Sequence, residues 1–203
     1  MKRIVLIGSG NLAEALARAV SKSELEAVQL YARNPERGPI VARLSGCPWT
    51  SDPAELSRDA DLYIIAVSDR AVAEVASTLP IPATAAVAHT AGSVPLEAIP
   101  ERFARRAVFY PMQTFTKGRE VDFTRIPIFL ECSSPEEWGA ELEAAARALS
   151  RHVIWADSAQ RSRIHLAAVF ACNFANHMYA IGEEVARRAG LDFEVLKPLV
   201  AET

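Results

Sequence analysis

The sequence has few cysteines, no surplus of either charge and no long hydrophobic run. Its three cysteines, Cys47, Cys132 and Cys172, lie far apart and share no CxxC spacing, which argues against a disulfide framework or a zinc site. Basic residues number 22 and acidic residues 25, so the formal net charge is -3 and offers no electrostatic footprint for nucleic acid or an anionic membrane. No apolar run approaches the ~20 residues that a membrane helix needs. The basic tip Met1-Lys2-Arg3 is followed by a short apolar stretch and a glycine turn, with no cleavage site, so no signal peptide is expected. Internal repeats and low-complexity linkers are missing as well. These absences point to a cytoplasmic protein with neither nucleic-acid nor membrane partners. What remains is ordinary globular material: half of the 203 residues are hydrophobic, enough for a sizeable core.

Short apolar runs alternate with helical periodicity as far as residue 156, the order of βαβ units on a mainly parallel sheet. Strands are expected at 4–7, 27–31, 61–67, 85–89, 107–110, 126–130 and 152–155, with a weak one near 47–49. Leu12, Ala15, Leu16, Ala19 and Val20 recur at helical spacing, as do Val72, Val75, Ala76 and Leu79 before the stop at Pro80. A third helix is expected after Ser134, with Ser134 as cap, Pro135 in the first turn and Glu137 completing a capping box. From 159 to 189 there is no proline, which predicts one long helix ended by Gly190. It is apolar on more than one face, unlike a surface helix, and Ala168, Ala171, Ala175 and Gly182 would let another helix approach closely. Asp192 can cap a short further helix, disturbed by Pro198.

The strongest motif is Gly8-Ser9-Gly10-Asn11-Leu12-Ala13, a G-x-G-x-x-A that leaves a strand and opens a helix. Gly8 permits the tight turn, Gly10 leaves room for a diphosphate, and Ala13 lets helix and strand pack closely. Amides at the helix start, with the helix dipole behind them, would grip the phosphates. The plain alternative is a strand-turn-helix with incidental glycines. The second strand ends in Tyr31-Ala32-Arg33-Asn34, where an NAD site places an acid for the ribose hydroxyls. Here Arg33 stands near that position, and a guanidinium suits a 2′-phosphate, so NADP(H) is the expected cofactor. Ser9, Asn34 and Arg37 are candidate helpers, and a solvated loop arginine is the bland alternative. The fold class follows: α/β, a Rossmann-type doubly wound, mainly parallel sheet over 1–156, then an all-helical domain over 157–203.

Ligands of such sheets sit beyond the carboxyl ends of the strands. Three segments fall there. Val67 and Ser68 should pass the ribose and diphosphate, with Asp69 as a cap for the next helix. Thr90 and Gly92, and then Pro111, should line a nicotinamide. His89 is a candidate proton donor to a carbonyl or imine, or a strand-end histidine bonded to backbone. On the long helix His165, Val169, Cys172 and Asn176 would share one stripe at α-helical spacing, which makes His165 and Asn176 candidate substrate-facing groups. Satisfied buried polar groups or a dimer seam are the alternatives there, and no metal site is expected.

With those residues in view, the chain resembles the Rossmann-like NADP oxidoreductases related to pyrroline-5-carboxylate reductase that carry a helical C-terminal domain of unknown function. The resemblance rests on IVLIGSGNLAEALA, IIAVSD, HTAGS, FYPMQTF, IPIFLE and RIHLAAVFACNFANHMYAIGEE, and chiefly on HTAGS, YPMQTF and HLAAVFACNFANH. It implies an NADP(H)-binding domain, a helical domain that dimerises, and a P-x-x-T loop at Pro111–Thr114 beneath the nicotinamide. It also implies further residues after PLVAET, so that the helical domain of this chain is expected to be truncated. The lysine-to-asparagine pair of the hydroxyacid dehydrogenases has no counterpart, since Arg161 is followed by His165 and His165 by Val169. Two functions follow as expectations. One is an NADP(H)-dependent oxidoreductase acting on a small carbonyl or imine as a homodimer. The other is a non-catalytic, dimeric NADP(H) sensor or scaffold.

Overall fold

The computed structural model describes residues 1–202, in two compact units, the first Met1–Ser162 and the second from Arg163 onward. In the first unit eight strands form one sheet: β1 (Arg3–Ile7), β2 (Glu26–Tyr31), β3 (Trp49–Thr50), β4 (Leu62–Ile65), β5 (Ala86–His89), β6 (Arg105–Pro111), β7 (Ile128–Cys132) and β8 (Val153–Trp155). Their order is β3-β2-β1-β4-β5-β6-β7-β8, and only β6 and β7 pair antiparallel. Strand order reverses between β1 and β4, which makes the gap between their carboxyl ends the topological switch point. Ile7 is level with Tyr31 on one side and Ile65 on the other, so three strands end together around it.

The helices of this unit are α1 (Asn11–Val20), α2 (Arg37–Ser45), α3 (Val72–Thr78) and α4 (Ala140–Arg147). Period-2 alternation in the central strands divides the core. Ile4, Leu6, Leu62 and Ile64 face α1 and α4, while Val5, Ile7, Tyr63 and Ile65 face α3, Ile99 and Phe103. All eight strand residues are sealed from water, the burial expected of a parallel sheet covered on both faces.

Some local expectations are corrected. α2 escapes the hydrophobic pattern because Gly38 and Pro39 interrupt it. Pro39 nevertheless sits in the first turn, where its missing N–H costs nothing, and left-handed Gly46 ends the helix. Gly38 packs so tightly on the Trp49 indole that a Cβ there would collide with it. Before α4 no capping box forms: Ser134 makes no side-chain cap bond, and Pro135–Gly139 is a π-helical turn instead. The Ser134 carbonyl accepts from the Glu137 and Trp138 amides.

The long helix begins as α5 (Ser158–Ala168), and its residues from Arg163 onward belong to the second unit. It is not one α-helix. A π-helical turn, Val169–Phe174, separates α5 from α6 (Ala175–Arg188), and Gly190, at φ 75°, follows the end. Asp192 caps a 3-10 turn by accepting from the Glu194 amide (2.9 Å), and α7 (Lys197–Ala201) follows. Pro198 opens α7 and does not disturb it, because it falls in the first turn. Ala186 is the one buried residue among the described residues of this unit, and Leu166, Phe170, Phe174, Met178 and Val185 are exposed. No described helix is long and apolar enough to cross a membrane.

Candidate functional site

The turn after β1 is built as its glycines require. Gly8 has φ 122°, and its amide donates to the Tyr31 carbonyl (2.8 Å). A Cβ on Gly8 would strike the Ala66 carbonyl oxygen, so no other residue fits without moving β1 from β4. Gly10 is the extended residue before α1, and nothing lies within 4 Å of where its Cβ would stand. Gly10 and the first residues of α1 thus border open space, and amides at a helix start suit an anion. Asn11 turns its side chain elsewhere: Nδ2 donates to the Phe115 carbonyl (3.0 Å), tying the helix start to the β6–β7 connection.

A cleft of about 560 Å³ opens at this turn, lined by Gly8, Ser9, Gly10, Asn11, Leu12, Arg33, Asn34, Val67 and Ser68 among others. It gathers nine of the twelve residues read from the sequence as cofactor ligands. Glu74, Val75 and Thr78 of α3, with Pro53, also line it, whereas sequence periodicity marks α3 only as a packing helix. Arg33 is exposed at the cleft edge and makes no ion pair with any described residue. Asn34 is a turn residue, its Oδ1 accepting from the Glu36 (3.0 Å) and Arg37 (2.9 Å) amides. Arg37 is already committed to Glu14, with Nη2 donating to the buried carboxylate at 2.7 Å. Glu14 also accepts from Arg18 Nη2 (3.3 Å) and the Gly118 amide (3.1 Å). Burial alone would raise its pKa, but these three donors hold the carboxyl below the usual range. The loop after β2 thus presents one uncompensated cation, Arg33, on a braced support: Trp49 Nε1 donates to the Ala32 carbonyl (3.0 Å).

Thr90, Gly92 and Pro111 do not line this cleft. Their rim is internally saturated. His89 is fully buried, and its Nδ1 accepts from the Ala91 amide (3.2 Å). That bond fixes the tautomer, so Nε2 carries the proton toward the Pro95 carbonyl (3.2 Å). Burial, and then the nearby Arg161 charge, lower the His89 pKa to about 4. The ring is neutral near pH 7 and engaged on both sides, the backbone-bonded arrangement, which leaves no proton to hand to a substrate. Thr90 Oγ1 donates to the Ile65 carbonyl (3.2 Å), and Ser93 Oγ donates to Asp69 (2.7 Å). Gly92 is buried, and Pro111 pairs with Ile128 at the end of β6.

His165 lies on α5 and Asn176 in the first turn of α6, with the π-helical turn between them. That wider turn adds a residue and shifts the helical phase by roughly 100°. The common stripe expected of His165, Val169, Cys172 and Asn176 needs unbroken α-helical spacing, so it does not form. Among the described residues no group of three or more His, Cys, Asp or Glu side chains is placed to hold a metal ion.

Residues 3–89 match a family described as NADP oxidoreductase, coenzyme F420-dependent, and residues 126–203 match a domain of unknown function, DUF2520. No curated protein matches the chain. A solved structure of a candidate NADP oxidoreductase from Bacteroides fragilis is 45% identical, aligns over 99% of this chain and 78% of its own, and has a TM-score of 0.90. An imine reductase from Pseudomonas sp. is 18% identical over 99% of this chain and 73% of its own, with a TM-score of 0.70. A pyrroline-5-carboxylate reductase from Coxiella burnetii is 17% identical over 98% and 75%, with a TM-score of 0.66. These two share the fold.

Proposed function

Since the chain belongs to the NADP oxidoreductase family, with the C-terminal domain of unknown function, we propose that it transfers hydride between NADP(H) and a small carbonyl or imine. The chain is an NADP(H)-binding oxidoreductase. The observation that carries the reading is the cleft at the switch point, where the glycine turn, the start of α1 and Arg33, which has no ion pair among the described residues, line the same space. Those groups match a diphosphate and a 2′-phosphate in charge and geometry. The amides from Gly8 to Leu12 would hold the diphosphate, and Arg33 the extra phosphate, with the Val67 and Ser68 backbone alongside the ribose. Gly92 and Pro111 would lie toward the nicotinamide, and the Glu74, Val75 and Thr78 wall toward the adenine.

Bound NADP(H) supplies the hydride, and the protein contributes orientation and exclusion of water. His89 is a loop-holding group in this reading and not the acid. His165 and Asn176 are the proposed substrate-side polar groups, on their chemistry in the sequence. The fold shared with an imine reductase and a pyrroline-5-carboxylate reductase supports a C=N or C=O acceptor. The exposed stripe Leu166, Phe170, Phe174, Met178 and Val185 supports a homodimer through the helical unit, because so long an apolar face is rarely left to water. The test is a panel of keto acids, cyclic imines and a deazaflavin with NADPH, followed at the nicotinamide absorbance. Turnover of one class, lowered by His165→Ala or Asn176→Ala, is expected. A panel without turnover by protein that binds NADPH would refute the substrate class.

A further inference from the structure

The loop after β5 is anchored at three consecutive residues by three side chains. The Val94 carbonyl accepts from Arg161 Nη2 (2.6 Å), the Pro95 carbonyl from His89 Nε2 (3.2 Å), and the Leu96 amide donates to Ser158 Oγ (3.2 Å). Behind these bonds lies a second layer. Arg161, 1% exposed, is ion-paired through Nη1 with Glu131 of β7, and Ser158 Oγ donates to the same carboxylate (2.8 Å). Ahead of them, Ser93 ties the loop to Asp69 and Thr90 ties it to β4. The segment between these ties holds Ala91 and Gly92, neither of which has a side chain long enough to anchor itself.

A guanidinium withdrawn from water is costly unless every donor is met, and here Nε has no partner. An apolar side chain of similar volume would avoid that cost. What it would not do is hold a carbonyl and a carboxylate at once, which the rigid fork of arginine does. Glu131 and Ser158 come from different elements, the antiparallel strand β7 and the first turn of α5. The fork therefore fixes the loop after β5 against two supports that are far from it in sequence.

We infer that Arg161, with Glu131 and Ser158, is a positioning residue that sets the 90–96 loop for the nicotinamide end of the cofactor. The inference rests on the NADP(H) reading above, in which that loop and not the adenosine cleft borders the nicotinamide. It separates two halves of one ligand. Loosening the fork disturbs the half that carries the hydride and leaves the phosphorylated adenosine half alone.

The experiment is calorimetric titration of the full chain with NADPH and with 2′,5′-ADP, which has the 2′-phosphate and no nicotinamide. It is run on wild type, Arg161→Lys and Ser158→Ala, with NADPH emission recorded in parallel. Arg161→Lys keeps the charge and loses the fork, and it is expected to weaken NADPH about tenfold while 2′,5′-ADP changes less than about twofold. Ser158→Ala removes one hydroxyl and should weaken NADPH about threefold. In both, the emission of bound NADPH should move toward that of free NADPH. Equal losses for both ligands would reduce Arg161 to a general structural role and overturn the inference. Unchanged NADPH affinity and emission in a folded variant would overturn it too. Wild type that binds neither ligand would instead sink the cofactor reading and the inference with it. Ser158→Ala carries the test should Arg161→Lys fail to fold.

Discussion

The cleft at the switch point and the rim beyond β5 treat their polar groups in opposite ways. At the cleft, Arg33 has no ion-pair partner among the described residues and Gly10 borders open space. At the rim beyond β5, the Thr90 hydroxyl, the Ser93 hydroxyl and both His89 nitrogens are engaged within the protein. Residue type does not separate the two, since a histidine or threonine at a strand end looks as chemical as an arginine. Partnership does. A polar group left without an internal partner at a cleft is available to a ligand, while a saturated one shapes the backbone around it. The contrast suits an oxidoreductase whose cofactor carries the reactive atoms and whose protein must first hold it.

The sharpest way to break this contrast is Gly8→Ala. The added methyl meets the Ala66 carbonyl, so NADPH affinity should fall at least about a hundredfold and stability by about 3 kcal/mol. Calorimetry and urea melts would read both, and a folded variant with native affinity would contradict the geometry. Next is Arg33→Ala, expected to cost NADPH about 1.5–3 kcal/mol and NADH almost nothing. The gap between the two cofactors in thermal-shift titrations should close, and equal losses for both would show that Arg33 does not read the 2′-phosphate.

His89 sharpens the other side through pH. Its folded pKa of about 4 lies below the unfolded value of 6.5, so its contribution is fully present above pH 6.5. Between 6.5 and 4 the unfolded chain binds the extra proton, and stability falls as pH falls. From pH 7.5 to 5 the loss assigned to this ring is about 2 kcal/mol. Urea midpoints for wild type and His89→Gln across that range should converge at low pH, and parallel lines would place the titration elsewhere. The smallest effect belongs to Thr90→Val. The Ile65 carbonyl keeps the Thr90 amide as donor, so stability should drop by about 1 kcal/mol and NADPH affinity by less than about twofold. A tenfold loss of affinity would mean that the hydroxyl reaches the cofactor.

Much of this was legible beforehand because it rests on short-range rules. The strands from 4–7 to 152–155 stand where their apolar runs lie, and the G-x-G-x-x-A turn carries its own geometry. What stayed hidden depends on partners distant in sequence. Arg37 looks like a phosphate ligand until Glu14 is seen to hold it, and Glu74 and Thr78 reach the cleft only through the crossover that brings α3 beside β4. α2 was masked by Gly38 and Pro39, whose placement makes sense only beside Trp49. The π-helical turn at Val169–Phe174 leaves no mark on a hydrophobic pattern, so the stripe through His165 and Asn176 was drawn on the wrong period.

Where β1 and β4 part, both walls are peptide: Gly8 on one side and the Ala66 carbonyl on the other. A grip made of main chain is indifferent to most side-chain drift around it. The fold around it is shared by a structure only 17% identical. The side chains around such a grip can change without altering how a dinucleotide is held.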